Sequence, residues 1–88
     1  MDRKKIHELL DVVLEIQERG EGRNGYPYVN IEFSNYGRRI FLIAQENGFV
    51  AGEDCDLFDG IETDKQLDDA IVLAEVLLEI AVDKTEDE

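Results

Sequence analysis

The apolar positions near the start of the chain recur at three- and four-residue intervals. Ile6, Leu9, Leu10, Val13 and Ile16 form one stripe, which Val12 and Leu14 widen. That period predicts an amphipathic helix over residues 3–19. Glu8, Asp11, Glu15 and Glu18 fall mainly on its opposite side. Asp2 is placed to cap the start, and Gly20, directly after Arg19, to stop the helix. A polar, glycine-rich connector follows from Gly20 to Gly25. Its spacing is not that of a phosphate-binding loop, and no strand precedes it.

At Tyr28 the period changes to two. Val29, Ile31 and Phe33 share one side, and Tyr28, Asn30, Glu32 and Ser34 the other. This predicts a half-buried strand, with Pro27 suited to its beginning. Asn35-Tyr36-Gly37 supplies a turn. Arg38 to Gln45 predicts a second strand that is apolar on both sides: Ile40, Leu42 and Ala44 face one way, Phe41 and Ile43 the other. A strand of that kind belongs in the middle of a sheet or under a second cover. Phe49-Val50-Ala51 and Leu57-Phe58 are short apolar pieces, of which one or both are expected to give a third strand.

Residues 64–82 predict the second helix, with Thr63 or Asp64 as its cap. Asp64, Asp68, Glu75, Glu79 and Asp83 fall within about 100° of its circumference, while apolar residues from Leu67 to Ala81 cover about 200°. One sheet face needs only about half of that arc, so the helix is expected to be covered twice, by the sheet and by helix one or a second copy of the chain. The expected fold is α+β: a small antiparallel sheet of two to three strands with the N- and C-terminal helices packed on one face. Residues 1–83 form one domain, and residues 84–88 a charged, frayed tail. The core is expected from Val29, Ile31, Phe33, Ile40 and Leu42 of the strands. Leu9, Leu10 and Val13 join it from helix one, and Leu67, Ile71, Ala74, Leu77 and Leu78 from helix two.

Composition adds one fact that the pattern does not contain. The 88 residues carry a net charge of −13, and the imbalance is one-sided. Residues 1–45 hold seven basic and seven acidic residues, whereas residues 46–88 hold Lys65 and Lys84 against 15 acids. Direct nucleic-acid binding needs a basic footprint and is excluded as an expectation, as is docking on anionic lipid. The expected partner is a basic protein, because charge of one sign steers association. No apolar run is long enough to cross a bilayer, and MDRKKIHELLDVV does not read as a signal peptide. The single cysteine, Cys55, lies among Glu53, Asp54 and Asp56, which disfavour its thiolate. It fits a reducing, cytoplasmic compartment.

Candidate chemistry is sparse. An EF-hand loop begun at Asp54 would carry Asp56 correctly but would place Phe58, Asp59 and Lys65 at positions that need other residues. No metal is expected there. His7 is the only histidine, and it has neither a set of zinc partners nor a convincing nucleophile. The carboxylates lie on helix faces and in a loop, where water keeps them ionised, so no catalytic residue, cofactor or enzyme activity is expected.

The acidic stripe of helix two is the lead that remains. Asp64–Asp68, Glu75–Glu79 and Glu79–Asp83 are like-charged pairs at i, i+4, each costing about 0.2–0.5 kcal/mol of helix stability. A basic partner that neutralises the stripe would offset that cost. A strongly acidic helix–hairpin–helix chain of this size resembles the small phage-encoded anti-defence proteins of the anti-CRISPR and DNA-mimic kind. The resemblance is carried by element order and by Asp54, Asp56, Asp59, Asp64, Asp68, Glu75 and Glu79. It implies an inhibitor that occludes the nucleic-acid channel of a nuclease or restriction enzyme. Two other readings stand beside it. One is a homodimeric assembly module whose acidity serves solubility. The other is a domain that binds its partner on the outer sheet face through Tyr28, Tyr36 and Phe41.

Overall fold

A computed structural model describes residues 1–23, 25–37, 39–52 and 57–86, with the side chains of 57–59 and 86 left aside. The sequence expectations of an α+β fold and its element order hold. Helix α1 is Arg3–Glu18, strands β1, β2 and β3 are Tyr28–Ser34, Arg39–Gln45 and Leu57–Ile61, and helix α2 is Asp64–Glu86. The sheet is antiparallel in the order β1-β2-β3, so the strand that is apolar on both sides is the central one.

Register follows from the alternation. Ile31 pairs with Leu42 and Phe33 with Ile40 across β1–β2, while Ile40 pairs with Ile61 across β2–β3. Both helices pack on the face that these residues share. Leu9 and Val13 of α1 meet Ile40, Leu42 and Ile61 of the sheet and Leu67, Ala70, Ile71 and Ala74 of α2 in one buried cluster. Ile16, Ala44 and Leu77 extend it. The shortest dimension of the molecule, 16 Å, is that of one helix layer on one sheet.

The two helices lie side by side and point the same way. Lys5 pairs with Asp68 at 2.9 Å near their beginnings, and Ile16 packs with Leu77 further along. Asp2 caps α1 by accepting from the Lys4 N–H at 2.8 Å, and its own N–H donates to Asp64 Oδ1 at 2.9 Å. Two carboxylates thus sit at the positive ends of two aligned helix dipoles. Thr63 and Gln66 form a reciprocal cap on α2. The Gln66 N–H donates to Thr63 Oγ1 at 3.2 Å, and Gln66 Oε1 accepts from the N–H groups of Glu62 and Thr63 at 2.8 and 3.1 Å.

Several expectations need correction. Phe33 is 57% exposed. It lies beside Met1 and Ile6, where α1 only begins, on an edge strand with a neighbour on one side. Leu10 and Leu78 are half-buried, and Leu14, in the apolar stripe of α1, is 51% exposed. Conversely Ile16, Ile61, Tyr26 and Pro27 are buried. Of the two candidate pieces for a third strand, only the second is one. Residues 49–51 instead form an exposed irregular segment held at the Gly22 turn and the ends of β1 and β2. The Phe49 N–H donates to the Gly22 carbonyl at 2.9 Å, the Gln45 side chain holds the Val50 backbone, and the Phe49 ring lies 5.0 Å from that of Tyr28. Helix α2 continues through Glu86, so Lys84 and Thr85 of the segment expected to fray are helical, with Thr85 Oγ1 donating to the Ala81 carbonyl at 2.8 Å. Residues 87 and 88 lie outside the described residues.

Candidate functional site

The acids chosen from the sequence do not form one uniform stripe. Asp54 and Asp56 lie outside the described residues, as does the side chain of Asp59, whose backbone pairs with Leu42 in the β2–β3 ladder. Asp64 and Asp68 are already engaged within the chain, by the Asp2 N–H and by Lys5. The Lys5 ammonium is held above its ordinary 10.5, first by its hydrogen bond to Asp68 and then by the charges of Asp68, Asp64 and Asp2. These two acids therefore clasp α1 to α2.

Further along the helix the picture differs. Glu75 and Glu79 are exposed, and with Leu78, Val82 and Asp83 they line a depression of about 540 Å³. Leu78 and Val82 are half-buried at its floor. Among the described residues, none of the three acids forms an ion pair. On a wheel of about 100° per residue, Val72 falls between Glu79 and Asp83, Val76 just past Asp83 on the side away from Leu78, and Leu73 beyond it. The exposures of Val72, Val76 and Leu73 are 58%, 49% and 39%. Apolar residues thus border the carboxylates of α2 on both sides, with Val72 among them. The acids were legible from spacing alone. These apolar residues were legible only as an excess of arc, because the sequence does not say which part of that arc the sheet and α1 leave open.

The aromatic alternative is dispersed. Tyr36 is 86% exposed in the hairpin turn, whereas Tyr28 is partly covered by Phe49 and Phe41 is half-buried on the outer sheet face. Cys55 and the rest of residues 53–56, the start of the EF-hand-like acidic segment, lie outside the described residues. No group of three potential metal ligands occurs among the described residues. No described helix is long and apolar enough to cross a membrane. No family model, curated protein or solved structure matches the chain.

Proposed function

We propose that the protein is an acidic binding module that occupies the basic, nucleic-acid-binding groove of another protein, in the manner of a DNA mimic, and so inhibits or regulates it. The observation that carries this reading is the row Glu75, Glu79 and Asp83, exposed on α2 without a cation paired to them among the described residues. Together with Asp68 it spans 16 residues, about 22 Å of helix. The neighbours four residues apart, Glu75–Glu79 and Glu79–Asp83, lie about 5–6 Å apart at Cβ, a spacing that a groove built to track phosphates accepts. The flanking valines add apolar contact, which a protein groove offers and a bare phosphate strand does not.

The test is binding to a basic partner captured from the native host. Affinity should fall steeply with salt and compete with DNA or RNA. Glu75→Lys with Glu79→Lys should abolish binding and leave the fold intact, since exposed positions tolerate substitution within about 0.5 kcal/mol. Glu8→Lys with Glu15→Lys, an equal charge change on α1, should have little effect. Asp68 is a poor choice for the same purpose, because its reversal also breaks the pair with Lys5. A partner that binds this protein and nucleic acid simultaneously refutes the reading.

The exposed Val72, Leu73 and Val76 favour a second reading, a homodimer seam along α2. Sedimentation at about 100 µM, where weak self-association shows, separates the two. A dimer abolished by Val76→Glu supports the seam, and a monomer removes it.

A further inference from the structure

A groove on the opposite flank of the molecule points to a different kind of ligand. Strand β1 is an edge: among the described residues its only strand neighbour is β2, and no backbone hydrogen bond outside the β1–β2 ladder involves the strand. Along its seven residues, every second one therefore presents an open N–H and C=O. Such edges are usually blunted by a lysine, an internal proline or a bulge. The strand Tyr28–Ser34 has no lysine or proline within it, its one charge is Glu32, which admits a basic strand and repels an acidic one, and its pairing to β2 is continuous from Tyr28 to Ser34.

Helix α1 runs beside this edge and makes it one wall of a groove. Leu10, Leu14 and Gln17 face Val29, Asn30 and Ile31 across a depression of about 320 Å³. A second depression of about 510 Å³ continues it past Gln17 and Val29 to Glu18, Glu21 and Tyr28. Leu10, Leu14, Val29 and Ile31 give the floor its apolar part beside Gln17 and Asn30, with Leu14 half exposed and nothing covering it among the described residues. Its charge is one-sided. Glu18 and Glu21 stand at the Tyr28 end, and among the described residues no lysine or arginine lines either part. Glu21 is the only non-glycine described residue with a left-handed backbone, φ +57°, and the turn that imposes this brings it to the groove.

We infer that this groove binds an extended, basic peptide segment as an added strand. The ligand's backbone pairs with β1, every second side chain enters the apolar floor between α1 and the sheet, and a lysine or arginine at the Tyr28 end meets Glu18 and Glu21. A second copy of this chain is the poorer occupant. It would bring another net charge of −13, with Glu32 in the middle of the pairing strand, against a groove that already ends in two acids. The inference does not depend on the α2 surface.

The test selects random heptapeptides by display against the full chain. Enriched sequences should carry apolar residues at alternate positions and a lysine or arginine at one end. With one such peptide, amide resonances of residues 28–33 should shift and those of 72–83 should not. Leu14→Glu, which puts a charge on the floor, should weaken binding by about tenfold or more. Glu18→Lys with Glu21→Lys should turn the end preference from basic to acidic, a result that holds even if Leu14→Glu perturbs folding. Asp69→Asn, at an exposed position of α2, should leave affinity unchanged. Absence of enriched peptides, enrichment without alternation or basic ends, shifts confined to α2, or a β1 edge already shifted by self-association without peptide would each overturn the inference.

Discussion

Gly20 shows how much a single position can carry. Its φ is +81°, and a Cβ there would stand 2.1 Å from Tyr26 Cγ, in a ring that is itself buried. Gly20→Ala should therefore cost more than the roughly 1–2 kcal/mol of a left-handed backbone alone. Urea unfolding measures it, and an unchanged midpoint would mean that Tyr26 does not pack there. The stop at Gly20 was legible in the sequence as a helix terminus. Tyr26 was not, because it follows a glycine-rich connector and belongs to no period. Lys5 gives a second prediction at this scale. Its folded pKa is raised, so its contribution to stability is fully present below about pH 10.4, the unfolded value, and is lost as pH rises through the higher folded value. The gap in thermal midpoint between wild type and Lys5→Met should stay constant from neutral pH to about 9 and close above about 10.4. A gap that closes near neutrality would assign the effect to another group.

Elements add what residues lack, a neighbour. The alternation in β1 gave the correct side for Phe33 but not its burial, since burial depends on where α1 begins. Nothing local distinguishes Phe49-Val50-Ala51 from Leu57-Phe58; the choice is made by Ile40, which finds Ile61, and by Gln45, which takes hold of Val50. Within α2, Ile71 sits in the main cluster, whereas Leu78 is half-buried at its margin. Ile71→Ala should cost about 2–5 kcal/mol by chemical denaturation. Leu78→Ala should cost distinctly less, and equal losses would mean that α2 is rotated from the described packing. Thr63→Ala removes one half of the reciprocal cap and should cost about 1 kcal/mol. A loss below a few tenths would show that Gln66 alone holds the helix start.

At the scale of the whole molecule the dominant quantity is charge. All of the −13 resides in residues 46–88, most of them in β3, α2 and the loop that joins β2 to β3. Added salt should raise the thermal midpoint, because screening acts over about 10 Å at 0.1 M and less at higher concentration. A midpoint that is flat to about 0.5 M would mean that the acids are farther apart in space than along the chain. The clasp between the helices has a consequence in time as well. Asp2 and Asp64 are 62 residues apart, and everything between them must be made before they meet. At about 5–20 residues per second, α1 is complete roughly 2–10 s before the first turn of α2 has been made. During that interval Leu9, Val13 and Ile16 have no second helix to pack against, and the apolar stripe of α1 waits on the last element for its cover.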